Sequence, residues 1–85
     1  MNIDIYGREN CPFCTKAVEL CHQQKLNFSY HDVQKDEAAR AEMFRRVPDA
    51  RTVPQIFAGD LHIGGFTDLE EAVKSGLIQQ IIGGK

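Results

Sequence analysis

Apolar and polar positions along the chain change period several times, and each change marks an element. Residues Ile3 to Tyr6 alternate apolar and polar side chains, the period of a strand. After a loop over Gly7 to Asn10, Pro12 fits the first turn of a helix, where its missing N–H costs nothing. Cys14, Ala17, Val18 and Cys21 then recur at helical spacing on one face, opposite Lys16, Glu19 and Gln23. Phe28 to Val33 reads as a second strand, with Phe28 and Tyr30 on one side. Asp36 predicts the cap of a second helix with an inward stripe of Ala39, Met43 and Val47, and Pro48 ends it because the residue before a proline avoids helical angles. Pro54 to Ala58 predicts a third strand, turned by Gly59-Asp60 into a fourth at Leu61 to Ile63. Gly64-Gly65 breaks that strand, Thr67-Asp68-Leu69-Glu70 has the capping-box form that starts a helix, and Gly76 stops it. Leu77 to Ile82 predicts a short apolar turn or helix packing back on the core. The order β-α-β-α-β-β-α is an α/β pattern: a βαβ unit with parallel strands, then a hairpin and a helix, giving a four-stranded mixed sheet flanked by helices.

Composition bounds the class. A chain of 85 residues predicts one domain over residues 1–85, burying roughly 60–65% of the surface its unfolded form would expose. The 42% hydrophobic and 26% charged content is that of a globular protein rather than a disordered or fibrous one. Twelve acidic against ten basic residues, a net charge of −2 and a pI near 5.8 argue against a nucleic-acid binder held by phosphate contacts. No apolar run approaches the roughly 20 residues of a membrane span, and the polar start Met1-Asn2-Ile3-Asp4 predicts no secretory leader.

The cysteines carry the chemistry. There are three, an odd number, and two sit in one unit, Cys11-Pro12-Phe13-Cys14. A secreted disulfide scaffold needs several separated pairs, so a reducing compartment with thiols kept for chemistry is expected. The strand–loop–helix context places Cys11 at a helix N-terminus, where free N–H groups and the helix dipole favour the thiolate, the nucleophilic form. The dipole alone supplies ~0.3–1 kcal/mol, less than one pKa unit, so direct N–H···S bonds, the Cys14 thiol or a cation such as Arg8 must add to it. Cys14 lies one turn on, pointing toward the core. It is expected to be the less exposed thiol, and the spacing lets both sulfurs bond without unwinding the helix. Cys11 is thus the predicted nucleophile on a substrate disulfide, and Cys14 the thiol that resolves the mixed disulfide. A zinc site would need four ligands, and beyond this pair only Cys21, His22, His31 and His62 offer themselves, with no second Cys-x-x-Cys; no metal is expected. Cys21, seven residues after Cys14 on the same face, reads as a small core hydrophobe, and the histidines as surface or strand residues.

With Thr52-Val53-Pro54 and Gly64-Gly65-Phe66-Thr67-Asp68 added at their spacing from Cys11-Pro12-Phe13-Cys14, nearly the whole chain resembles the glutaredoxins of the dithiol type, which have the thioredoxin-like fold. The resemblance implies that Pro54 is cis, faces the cysteines and exposes the Val53 backbone to glutathione, which docks like a short strand. It implies that the helix start at Gly65, Phe66, Thr67 and Asp68 holds the γ-glutamyl end, with N–H groups on its carboxylate and Asp68 on its ammonium. A cation, Arg8 or Arg51, is implied to meet the glycyl carboxylate, and the resemblance does not choose between them; Lys16 and Gln55 fit that role less well. Thr52 and Phe13 complete the implied groove. Phe13 stands where many relatives have tyrosine, and Phe66 where they often have cysteine or tyrosine. Any hydroxyl or thiol contact there is lost, but no reacting group is.

The resemblance implies a cytoplasmic, monomeric, glutathione-dependent thiol–disulfide oxidoreductase. Glutathione is its cosubstrate, and protein disulfides or glutathionylated proteins are its partners, ribonucleotide reductase being an acceptor by analogy. Protein disulfides would be reduced by both thiols, and glutathionylated mixed disulfides by Cys11 alone. A potential of roughly −200 to −230 mV fits a donor poised by glutathione. Two other readings stand beside it. A glutathione-ligated iron–sulfur cluster carrier is disfavoured by Pro12 and Cys14, since carriers typically read Cys-Gly-Phe-Ser. A redoxin recycled by thioredoxin reductase usually has a different dipeptide between its cysteines.

Overall fold

The computed structural model describes residues 2–83. Its elements are β1 (Ile3–Gly7), α1 (Pro12–Gln23), β2 (Phe28–Asp32), α2 (Glu37–Arg46), β3 (Gln55–Ala58), β4 (Leu61–Gly64), α3 (Phe66–Lys74) and α4 (Leu77–Gly83). The strands form one sheet in the order β2-β1-β3-β4. β1 pairs parallel with β2 and antiparallel with β3, and β3 pairs antiparallel with β4. This is the expected mixed sheet, with the apolar segment after Gly76 resolved as a fourth helix.

The alternation of the strands splits the core in two. Ile3, Ile5, Ile56 and Ala58 face Ala17 and Cys21 of α1, Leu69 and Ala72 of α3, and Ile78 of α4. On the opposite face Tyr6 and Phe57 meet Ala39 and Met43 of α2, and Val33. The second face also carries polar groups: Arg46 lies 3.7 Å from the Phe57 ring centroid and donates to the Tyr6 hydroxyl at 3.1 Å, while His31 and Asp4 pair at 3.0 Å.

Element ends follow local chemistry. Asp36 caps α2 as expected, its carboxylate accepting from the Ala38 and Ala39 N–H groups at 2.9 and 3.3 Å. α2 stops at Arg46, so Val47 is its C-cap, still packed on the second core but not a helical residue. Val33 and Pro54 fall just outside their strands. The predicted cap at Thr67 is displaced. α3 begins at Phe66 with Gly65 as its N-cap, and Thr67 lies exposed inside the first turn. The capping is carried by Asp68, whose Oδ2 accepts from the Gly65 N–H at 3.0 Å. Gly64, at φ +123°, makes this possible, because a Cβ there would run into the Asp68 carboxylate.

Candidate functional site

The redox pair is built by the turn from β1 into α1. Asn10 adopts φ +59°, a left-handed conformation that asparagine tolerates better than most residues. It delivers Cys11 as the N-cap of α1, with Pro12 in the first turn. The Cys14 N–H donates to the Cys11 Sγ at 3.2 Å, the direct N–H···S contact that the dipole alone could not replace. Cys11 and Cys14 are joined as a disulfide with Cα atoms 5.2 Å apart. Cys14 is the less exposed, as expected, but the margin is small: 1% against 6%. Cys11 is covered because the loop before β3 lies over it, its Sγ 3.7 Å from the Val53 carbonyl oxygen.

Gly7 makes room for the pair. A Cβ at Gly7 would stand 2.8 Å from the Cys14 Sγ and 2.5 Å from the Tyr30 hydroxyl, which donates to the Arg8 carbonyl at 3.1 Å. Burial, with the Asp32 and Glu9 carboxylates adding to it, raises the Tyr30 phenol above its ordinary value. Cys21 lies apart in the first core with no exposed surface, and burial pushes its thiol up to about 11. It is the core residue predicted.

Two grooves share Thr52 and Val53, whose loop contacts Cys11. The first, about 280 Å³, is walled by Phe13 of α1, by Pro54 and by Gly65, Phe66, Thr67 and Asp68 at the start of α3. The Val53–Pro54 peptide bond is cis, and Pro54 is buried. The Phe13 ring, 53% exposed, stacks on Phe66 with centroids 6.1 Å apart, and the Lys16 Nζ sits 5.2 Å from the Phe13 centroid. The second groove, about 350 Å³, has Arg8 and Arg51 on its rim and Val33, Met43 and Phe44 among its walls. Every groove residue named from sequence therefore lines one of the two cavities. Arg8 and Arg51, between which the sequence did not choose, line the same one.

Three contributors were missed by sequence reading. Arg40 adds a third guanidinium to the second groove; its signal was its place beside the inward Ala39 and one turn before Phe44, whose ring it overlies at 6.0 Å. Gly7 read as a loop residue, although it is buried in β1. Asn10 had a signal only in the tolerance of asparagine for positive φ. Among the described residues no group of three or more His, Cys, Asp or Glu is placed to hold a metal ion, and no helix is long and apolar enough to cross a membrane.

Comparison with known proteins agrees with this geometry. The family model described as Glutaredoxin matches residues 3–63. The chain is 37% identical over 79 residues to Glutaredoxin 1 of Salmonella typhimurium, covering 86% of this chain and 91% of that protein. It is 40% identical over 68 residues to Glutaredoxin 3 of Escherichia coli, covering 80% and 81%. Among solved structures, glutaredoxin from Brucella melitensis superposes with a TM-score of 0.78 at 33% identity, covering 96% of this chain and 88% of that one. A buckwheat glutaredoxin–glutathione complex shares the fold at a TM-score of 0.80 and 21% identity, over 95% and 76%. The chain belongs to the glutaredoxin family and is a glutathione-dependent thiol–disulfide oxidoreductase of thioredoxin-like fold, with Cys11 and Cys14 as its disulfide-forming pair.

Proposed function

We propose that Cys11 is the nucleophile, Cys14 the resolving thiol, and the two grooves the halves of one glutathione site centred on Val53. The observation that carries this reading is the Val53 carbonyl 3.7 Å from the Cys11 Sγ, at the point where both grooves meet. A peptide thiol bonded to Cys11 would lie along the Val53 backbone and pair with it as an added strand. Its γ-glutamyl carboxylate would reach the free N–H groups at the start of α3, and its ammonium the Asp68 carboxylate. Its glycyl carboxylate would enter the groove of Arg8, Arg40 and Arg51. Phe13 and Phe66 would close over the γ-glutamyl half.

The Cys11 thiolate attacks one sulfur of a protein disulfide; that S–S bond breaks, and the leaving thiolate takes a proton. The Cys14 thiolate then attacks Cys11 in the mixed disulfide, releasing the second substrate thiol and closing the Cys11–Cys14 disulfide. Two glutathiones reduce it and leave as glutathione disulfide. With a glutathionylated protein, Cys11 takes the glutathione directly, and a second glutathione restores the thiol. Residues 1–85 act as one domain and a monomer in the cytoplasm. The acceptors are protein disulfides and glutathionylated proteins, with ribonucleotide reductase an example by family analogy alone.

The assay that tests the choice of reductant supplies either glutathione with glutathione reductase or thioredoxin reductase alone, each with NADPH. Turnover with the first and background with the second is expected; the reverse would refute a glutathione site.

A further inference from the structure

The loop that presents Val53 has an unusual mechanical problem. A backbone edge that must pair with a peptide ligand cannot spend its own N–H and C=O groups on the sheet. The strand β3 begins only at Gln55, after the cis proline. Before it, the last backbone hydrogen bond that anchors the loop is the Ala50 N–H to the Val47 carbonyl at 3.0 Å. Val53 packs its own side chain against the second core, which leaves the Thr52 backbone to be held by another side chain.

Gln55 is that side chain. Its amide side chain is buried, the residue 8% exposed. A buried amide left unpaired costs roughly 1–3 kcal/mol, and this one is paired at both ends. Its Nε2 donates to the Thr52 carbonyl at 2.9 Å. Its Oε1 lies 2.7 Å from the Nε2 of His62 on the edge strand β4. Because Oε1 can only accept, the His62 Nε2–H is the donor, in the neutral or the protonated ring alike. His62 is in turn fixed by stacking on Phe57, centroids 4.7 Å apart at 23°. The same Phe57 ring carries the Arg46 guanidinium, which also lies 3.7 Å from the Asp4 carboxylate. A continuous set of contacts thus runs from β1 and α2, through Phe57, His62 and Gln55, to the carbonyl of Thr52.

We infer that Gln55, oriented by His62, is a positioning residue for catalysis: it clamps the Thr52–Val53 edge from behind so that its front stays free to pair with the glutathionyl peptide. Neither side chain touches the reacting sulfurs. The inference rests on the reading that Val53 docks glutathione, and its test is built to separate the two.

Gln55→Leu removes both hydrogen bonds at similar volume. His62→Phe keeps an aromatic ring to stack on Phe57 but removes the donor. His62→Gln restores a donor. With a glutathionylated peptide as substrate and glutathione with glutathione reductase as the recycling system, Gln55→Leu should raise KM for the peptide about tenfold, the size of one lost hydrogen bond in a desolvated setting. His62→Phe should raise it about threefold, and His62→Gln should bring it back toward wild type. The kcat should stay within about twofold, since the N-terminus of α1 is untouched. Without any substrate, the ¹⁵N order parameters of Thr52 and Val53 should fall from the rigid range near 0.85 toward 0.6 in Gln55→Leu and His62→Phe. Unchanged order parameters with an unchanged KM in both variants, whatever happens to Tm, would overturn the clamp. Loosened order parameters with an unchanged KM would leave the loop held by Gln55 but refute its part in catalysis. A wild-type protein that ignores glutathione would instead refute the docking reading, and the order parameters would still decide whether Gln55 holds the loop.

Discussion

At the scale of single residues, the three cysteines divide by where the chain puts them rather than by their own chemistry. Cys11 caps a helix, Cys14 lies beneath it, and Cys21 is sealed in the first core. That division was legible because helical spacing alone fixes which thiol faces in. The cover over Cys11 was not, since it comes from Val53, 42 residues away in sequence. The buried Cys21 has a consequence for stability. Its thiol is raised from 9.0 to about 11 in the folded protein. The folded state therefore keeps a proton that the unfolded chain loses first, so this contribution is intact below pH 9 and is lost as pH rises toward 11. At roughly 1.4 kcal/mol per pKa unit the loss is about 2–3 kcal/mol. Urea unfolding at pH 8 and pH 11 should show that drop in wild type and a smaller one in Cys21→Ala; equal drops in both would mean that Cys21 ionises as freely folded as unfolded.

At the scale of elements, periodicity and breakers located the four strands and the first three helices, left the segment after Gly76 open between a turn and the helix α4, and otherwise erred only at ends. The start of α3 is the instructive case. Thr67-Asp68 resembles a cap because both residue types favour helix starts, yet the N-cap is Gly65, which has no side chain to announce it. Asp68 therefore serves from inside the helix, holding the Gly65 N–H at 3.0 Å while lining the first groove. Its two roles separate experimentally. Asp68→Ala should lower Tm by a few degrees for the loss of about 1 kcal/mol of capping. It should also raise KM for glutathione about tenfold, the scale of a charged hydrogen bond of roughly 1.5–3 kcal/mol. A fall in Tm with an unmoved KM would reduce Asp68 to a cap.

At the scale of the whole molecule, the site is assembled from segments that sequence order keeps apart: the β1–α1 turn, the loop before β3 and the start of α3. Their convergence follows from the strand order, which sets β3 beside β1 and brings Val53 over Cys11. The resemblance to a known family implies that convergence; composition does not. The net charge of −2 gives no hint that Arg8, Arg40 and Arg51 line one groove, because charge counts carry no positions. Arg40 escaped notice for the same reason: an arginine on a polar helix face is unremarkable until the groove beside it is seen. The central claim is the separation of a nucleophile from a resolver within one disulfide, and Cys14→Ser tests it most directly. Assayed side by side with glutathione as reductant, this variant should reduce a glutathionylated peptide at a rate within about twofold of wild type, because that route uses Cys11 alone. Its reduction of a protein disulfide should fall to background. Equal loss of both activities, or survival of both, would contradict the assignment.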